Sequence, residues 1–364
     1  MRCRRFLLLC TSVTYAAGAA CQELPLPSLQ LASGFSIEIY ARVPGARSLA
    51  LGPPGVVFVG TRDEGKVYAL VNRQLRTLAS GLQWPNGVAY HDGTLYVAER
   101  SRILRFDGID AWLKEEIRPQ APVPSVVTDA LPRESGHGWK FLRLGPDGKL
   151  YFGIGAPCNV CLRDDPFATL ARVDPRDGKL EIVARGIRNT VGFDWHPVTR
   201  ELWFTDNGAD QLGDDVPSDE LNRVTALGQH FGYPFCHAGD VPDPRFGKDR
   251  PCSAFVPPVH RFGAHVAALG MRFLSGSAAP EPLRGKIVVA EHGSWNRSQP
   301  VGYRVVVVDP AGKAPETTLV GGWLRGDRAW GRPVDVELLP DGSLLVSDDD
   351  AGAVYRVRFS GRPG

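Results

Sequence analysis

The sequence has little net charge and no long apolar run after its first twenty residues. Its 42 lysine and arginine residues are nearly balanced by 40 aspartate and glutamate residues, which leaves a formal net charge of +2 over 364 residues. This balance, with no long basic run, gives no support for nucleic-acid binding. The hydrophobic content of 43% excludes a disordered chain. No later stretch reaches the ~20 apolar residues of a transmembrane helix, so none is predicted.

Several common catalytic motifs are also missing. The chain has no Gly-x-Ser-x-Gly elbow, Walker loop, dinucleotide-binding fingerprint or His-Glu-x-x-His pair. These absences remove the commonest serine-hydrolase, nucleotide and zinc-protease classes. Amphipathic helical stretches are few, and only 111–117 is predicted as a short helix. The 41 glycines and 30 prolines favour a turn-rich, all-β chain.

The N-terminus has the three parts of an export signal. Arginines at positions 2, 4 and 5 precede an apolar stretch and the small residues at 16–20. This pattern predicts a secretory signal peptide over 1–20 and a periplasmic or secreted protein. Cys21 follows the small residues, so a lipoprotein anchor is an alternative. Gly18 stands where such anchors usually have leucine.

The cysteines fit an oxidising compartment. Four remain after the signal in addition to Cys21, namely Cys158, Cys161, Cys236 and Cys252. We predict two local disulfides, Cys158–Cys161 and Cys236–Cys252. The sequence leaves the other two pairings open, as well as a zinc site on all four thiols. Leu162 stands where c-type haem attachment requires histidine, which excludes that cofactor.

A short β unit recurs six times along the chain. Each copy has a turn with Gly, Pro or Asp followed by a short apolar strand, at 56–59, 95–97, 150–152, 202–204, 287–289 and 344–346. Repeated hairpins of this kind predict a six-bladed β-propeller over residues 33–360. The alternating segment 35–40 is expected to complete the last blade, which ends near Phe359. The alternatives are a β-sandwich or two smaller β domains.

Propellers bind ligands where their loops converge, so ligand-binding and catalytic residues are expected in the loops that interrupt the repeat. His137 stands between two glycines, which suits a general base with an unperturbed pKa near ~6.5. An exposed loop histidine is the alternative. Arg188 and Asn189 can present a guanidinium and an amide to one polar ligand. The oxygen-rich segment 206–222 is suited to calcium, or else is a solvated acidic loop.

In this order, the motifs resemble the glucose/sorbosone dehydrogenase family of quinoprotein sugar dehydrogenases. The resemblance covers roughly 33–360. It rests on four features in chain order. His137 lies eight residues before the turn at 145–148, and Arg188 is followed by Asn189. Gly208 precedes the acids at 219–220, and the segment 228–234 comes next. Segments 291–304 and 332–336 are similar to the sorbosone dehydrogenase branch. Members are six-bladed propellers that use pyrroloquinoline quinone (PQQ) with calcium.

The resemblance implies a role for each matched residue. His137 would be the catalytic base that takes a proton from a sugar hydroxyl. Arg188 and Asn189 would contact the quinone oxygen, where negative charge develops. The backbone carbonyls of Gly208 and Ala209 would hold the cofactor-bound calcium. Further cofactor contacts are implied for Arg332, His265 and Arg297, and a weaker substrate contact for Asn86.

Two positions depart from the family pattern. Ala156 stands where glucose-oxidising members carry an acid beside the catalytic histidine. An imidazole without a carboxylate partner loses orientation and basicity. Val334 stands where a second basic residue is expected. Both departures put the substrate in doubt and fit the sorbosone-like branch better.

The resulting hypothesis is PQQ-dependent oxidation of an aldose or sorbosone-like sugar, with electrons passed to an unidentified acceptor. Two alternatives from other classes stay open. One is a calcium-dependent sugar lactonase, which would need side-chain carboxylates in the channel. The other is a non-catalytic propeller that serves as a binding module.

Overall fold

Tight two-residue turns connect neighbouring strands of the protein. The structure, a computed structural model, describes residues 23–115 and 121–361. The predicted signal peptide over 1–20 and Cys21 lie outside the described residues. Asp92 and Gly93 have φ angles of 42° and 75°, and Asn72 and Arg73 have 49° and 70°. Both central residues of each turn are left-handed, as type I′ hairpin turns require.

Six antiparallel sheets, the blades, follow one another along the chain. Blade 1 contains Leu49–Leu51, Val56–Val59, Val67–Val71 and Gln74–Ala79, and blade 2 contains Gly87–His91, Thr94–Ala98, Ile103–Phe106 and Ser125–Thr128. Blade 3 contains Leu142–Leu144, Leu150–Ile154, Thr169–Val173, Leu180–Arg185 and Gln229–His230, and blade 4 contains Phe193–Trp195, Leu202–Asp206, Ser218–Val224 and His260–Ala264. Blade 5 contains Ala268–Phe273, Ile287–Glu291, Arg304–Val308, Thr317–Gly321 and Gln30–Leu31, and blade 6 contains Pro333–Leu338, Leu344–Asp348, Ala353–Phe359 and Phe35–Arg42.

The remaining elements are small. Two hairpins pair Cys236–His237 with Val241–Pro242 and Leu324–Arg325 with Arg328–Ala329. Single-turn 3₁₀ helices span Leu26–Ser28, Cys252–Ala254 and Glu281–Leu283. The predicted short helix is present as Ile109–Lys114, and residue 117 lies outside the described part. No helix among the described residues is both long and apolar enough to span a membrane.

The first strand of each blade lies innermost, and these six strands form a ring. They are Leu49–Leu51, Gly87–His91, Leu142–Leu144, Phe193–Trp195, Ala268–Phe273 and Pro333–Leu338. The ring closes because Phe35–Arg42 pairs antiparallel with Ala353–Phe359 in blade 6, from Phe35 opposite Phe359 to Arg42 opposite Ala353. The predicted six-bladed propeller is confirmed, including the closing role of the N-terminal strand.

The hydrophobic core is divided into layers between adjacent blades. Val56 and Phe58 face blade 2, whereas Val57 and Val59 face blade 6. Successive side chains of a strand point to opposite faces, and here both faces are covered by a neighbouring blade. This double burial explains why the strands are continuously apolar rather than alternating.

Both predicted disulfides are present. Cys158 is bonded to Cys161 and Cys236 to Cys252. The pairing occupies all four thiols, so the alternative of a zinc site on these cysteines is wrong.

Leu70 tests the layered core. Leu70 is 0% exposed between blades 1 and 6, whereas Leu227 is 65% exposed. We expect Leu70→Ala to lower the free energy of unfolding by about 2–5 kcal/mol, because a buried leucine leaves a cavity when it is truncated. Leu227→Ala is the matched control and should change it by less than about 0.5 kcal/mol. Equal effects in denaturant titrations would contradict this account of the core.

Candidate functional site

A cavity of about 230 Å³ opens where loops from five of the six blades converge. Most of its lining residues precede the innermost strand of a blade or follow the second strand, so they lie at the same end of the ring. The structure brings six of the predicted site residues into its wall, namely His137, Arg188, Asn189, Gly208, His265 and Arg332. The motifs that are far apart in sequence therefore form one site.

His137 is held in one orientation by a backbone carbonyl. Its Nδ1 lies 2.7 Å from the Ala156 carbonyl oxygen. Because a carbonyl only accepts, Nδ1 carries the hydrogen, and Nε2 keeps its lone pair. Gly155 permits this close approach, since a Cβ there would lie 2.5 Å from the His137 Cβ. The Ala156 carbonyl, rather than a carboxylate, thus sets the orientation of the imidazole.

The imidazole of His137 is far from an unperturbed group. Burial, followed by the positive charge of Arg188, lowers its pKa to about 4. The prediction of an ordinary pKa was wrong, because the glycines beside His137 bring the chain into close packing rather than leaving the ring in solvent. At neutral pH the ring is therefore neutral and able to accept a proton.

The Arg188 guanidinium is fixed by hydrogen bonds on several sides. Nε donates to the Asn159 carbonyl at 2.9 Å, and Nη2 donates to the Asn159 Oδ1 at 2.9 Å and to the Asp210 Oδ2 at 2.6 Å. Nη1 donates to the Asn207 carbonyl at 3.3 Å. These contacts leave one of its five N–H groups without a protein acceptor in the described residues.

Two buried carboxylates hold the backbone of the site. Asp206 accepts the backbone N–H groups of Arg188 at 2.9 Å and Asn189 at 2.7 Å. Asp219 accepts those of Gly208 at 2.8 Å and Ala267 at 2.7 Å. Burial raises the pKa of Asp206 to about 7 and that of Asp219 to about 6. These hydrogen bonds connect blade 4 to the loop that precedes it and to the loop that leads into blade 5.

Arg332 differs from the other arginines of the cavity wall. Arg47 pairs with Asp349, and Arg62 pairs with Asp63. Arg332 donates to two backbone carbonyls, at 3.1 Å and 2.6 Å, and forms no ion pair within the described part of the chain. Its charge is therefore available to an anionic ligand.

The structure does not bring every predicted residue into the cavity. Arg297 is directed to the Asp214 carbonyl and the Asp215 carboxylate, so it lies outside the lining. Ala209 is fully buried and lies behind Gly208 rather than in the wall. Asn86 is also buried outside the lining, where its Oδ1 accepts from Arg47 at 2.6 Å.

Several lining residues received no individual role from the sequence, although His292, Trp295 and Asn296 lie in the segment 291–304 that carries the resemblance. They include Arg47, Arg62, Trp139, His292, Trp295 and Asn296. Their shared signal is position, since each lies shortly before an innermost strand or after a second strand. His292 additionally donates from Nε2 to the Asp349 carboxylate at 2.8 Å, a contact between blades 5 and 6 that no local motif shows.

A family model described as TrAA12-like matches residues 172–359, just over half of the chain. This chain belongs to the TrAA12-like family. A relative from Borreliella burgdorferi, itself an uncharacterized protein, is 32% identical over 366 residues and aligns 97% of this chain with 95% of its own length. The family model thus covers the second half of the TrAA12-like chain, and the alignment with the relative extends over nearly all of it.

Solved structures share the fold. The PQQ domain of a pyranose dehydrogenase from Coprinopsis cinerea, in holo form, matches with a TM-score of 0.76 and 17% identity, covering 91% of this chain and 97% of its own. A calcium structure of the Trichoderma reesei AA12 carbohydrate-active enzyme matches with a TM-score of 0.77 and 19% identity, covering 94% and 100%. Aldose sugar dehydrogenases also match, at lower TM-scores. The resemblance to quinoprotein sugar dehydrogenases is confirmed at the level of the fold.

The protonation of His137 can be measured directly. We expect its ¹⁵N NMR signals to show the neutral Nδ1–H form down to about pH 5, because the folded pKa is about 4. The unfolded chain is the control, with a pKa near ~6.5. Because folding lowers this pKa, the unfolded chain binds the proton first as the pH falls. The contribution of His137 to the stability of the fold is therefore fully present above pH ~6.5 and is lost as the pH falls towards 4. Titration near 6.5 in the folded protein would show that the cavity does not desolvate the ring.

Proposed function

We propose that this TrAA12-like protein is a PQQ-dependent oxidoreductase that acts on an aldose or sorbosone-like sugar. The observation that carries the proposal is the shared cavity of His137 and Arg332. His137 supplies a neutral imidazole with a free Nε2, and Arg332 supplies a cation without a carboxylate partner among the described residues. A base beside an unpaired cation suits proton removal next to an anionic cofactor.

The chemistry of the cavity wall fits PQQ, which carries three carboxylates. Two side chains of the wall have buried polar atoms without a partner among the described residues, Asn296 at Oδ1 and Trp139 at Nε1. Buried polar atoms of this kind normally have a hydrogen-bond partner, so a polar ligand is the natural occupant. The two unpaired atoms offer one acceptor and one donor to it.

Calcium would be held at the edge of the same cavity. The carbonyl oxygens of Gly208 and Ala209 accept no hydrogen bond from the described residues. Asp219 fixes the Gly208 N–H and thus the direction of this loop. The described residues contain no group of three or more His, Cys, Asp or Glu side chains suited to a metal, so the cofactor's own oxygens would complete the coordination. A lactonase-type carboxylate centre has no support for the same reason.

Each residue of the site has a separate role in the proposed oxidation of a sugar hydroxyl. PQQ, when bound, supplies the acceptor for the hydride. His137 takes the hydroxyl proton on Nε2, while Nδ1–H stays bonded to the Ala156 carbonyl. The remaining N–H of Arg188 and the second N–H of the Asn189 side-chain amide, whose first donates to the Asn207 Oδ1 at 3.1 Å, would stabilise the oxygen where negative charge develops. Arg332 would hold a carboxylate of the cofactor.

The two disulfides support an extracytoplasmic location for this activity. We propose that the protein is exported through the N-terminal segment 1–20, with a separate electron acceptor in the same compartment.

His137→Ala tests the base. The purified protein, supplied with PQQ and calcium, should reduce an artificial dye with aldoses. We expect the variant to bind PQQ normally and to lose about 10²–10⁴-fold in kcat, the usual contribution of a general base. His91→Ala, which removes a histidine with a 60% exposed side chain, is the control. Full turnover in the His137 variant would remove its assigned role, and no uptake of PQQ by the wild type would overturn the proposal.

Arg332→Ala tests the cation. Loss of the charge should weaken PQQ binding about 30-fold or more, equivalent to about 2 kcal/mol, because a cofactor carboxylate then stays buried and unpaired. Fluorescence quenching of the cavity tryptophans gives the Kd. Arg176→Ala removes the same charge from a side chain that is 85% exposed and should leave Kd unchanged. Equal affinities of the two variants would contradict the assignment.

A further inference from the structure

The Cys158–Cys161 disulfide lies beside the cavity, in a segment that has no role in the proposed oxidation of a sugar. It closes a loop with a sequence separation of only 3 residues, compared with 16 for Cys236–Cys252. A cross-link stabilises a fold less when the loop that it closes is short. The main effect of the Cys158–Cys161 disulfide is therefore on the local conformation of the chain rather than on overall stability.

The closed loop presents Asn159 to Arg188 and Asp210. The Asn159 carbonyl and Oδ1 accept from the Arg188 guanidinium, both at 2.9 Å. The same Oδ1 accepts the Asp210 backbone N–H at 2.8 Å, and Nδ2 donates to the Asp210 carbonyl at 2.8 Å. Asn159 is exposed, so packing does not fix it, and the disulfide on its flanks supplies the restraint.

Ala156, two residues before this loop, contacts both His137 and Arg188. The Ala156 carbonyl accepts from His137 Nδ1 at 2.7 Å, and the Ala156 N–H donates to the Arg188 carbonyl at 2.8 Å. The far end of the loop is also held, because the Cys161 N–H donates to the Tyr233 hydroxyl at 2.9 Å. One short segment thus lies between the base and the guanidinium and is anchored at both ends.

We infer that the segment 156–161, closed by the Cys158–Cys161 disulfide, is a positioning element that sets His137 and Arg188 relative to each other, with Asn159 as the positioning residue for Arg188. This inference rests on the proposed function for its catalytic consequence. The placement of Arg188 itself can be tested without the cofactor.

Three variants separate positioning from general stability. Asn159→Ala removes the three side-chain hydrogen bonds, one with Arg188 and two with Asp210, and Asn159→Asp keeps the acceptor at Oδ1. Cys158→Ser with Cys161→Ser opens the loop, and Cys236→Ser with Cys252→Ser is the matched disulfide control. We expect Asn159→Ala and the opened loop to lower kcat about tenfold or more with little change in KM or in the Kd of PQQ. Asn159→Asp should restore most of kcat.

A second measurement uses the protein without PQQ. In ¹⁵N NMR, the Arg188 Nη2–H groups, one of which donates to the Asn159 Oδ1, should exchange slowly in the wild type and in the Cys236/Cys252 control, and rapidly in Asn159→Ala and in the opened loop. Arg188→Lys identifies the signal. Slow exchange and unchanged kcat in Asn159→Ala would overturn the inference. If the wild type takes up no PQQ while these exchange differences are found, the proposed function fails and the positioning role stands.

Discussion

The closure of the ring is the constraint on which the other features depend. Phe35–Arg42 lies in the same sheet as Ala353–Phe359, so the two ends of the described chain are joined by a strand ladder. Each hydrophobic layer between blades needs both of its walls. Without the closing strand, blade 6 loses its outer edge and the layer to blade 1 is weakened. The loops that form the cavity converge only because the ring is complete.

Charge compensation determines which groups of the cavity face a ligand. Asp349 accepts from both Arg47 and His292, and Asp210 pairs with Arg188, so these charges are engaged within the protein. Asp206 and Asp219 are committed to backbone N–H groups. Arg332 is left with carbonyl partners. Among the described residues of the wall, this selective pairing leaves the charge of Arg332 for the proposed anionic ligand, rather than a cluster of unpaired, mutually repelling cations.

Local signals in the sequence were sufficient for the fold. Asp-Gly and Pro-Asp turns and six apolar strands predict blades because the interactions that form a hairpin lie within about ten residues. The loops with His137, Arg188 and Arg332 could be predicted from motif order. Contacts between blades could not, because Asp349 meets His292 only when blades 5 and 6 pack against each other. The pKa of His137 was missed for the same reason, since burial and the charge of Arg188 are tertiary effects.

The low pKa of His137 also bears on how the site would work with a charged ligand. A base with a pKa of about 4 is always unprotonated at neutral pH, but it holds a proton weakly. Arg188 contributes to this low value by its positive charge. In the proposed function, an anionic cofactor in the same cavity would place negative charge beside Arg188 and the imidazole, and would so raise the pKa of His137 towards the operating pH. As the proposed base, His137 would then be strongest when the cofactor is bound, which would couple proton removal to the loaded state of the site.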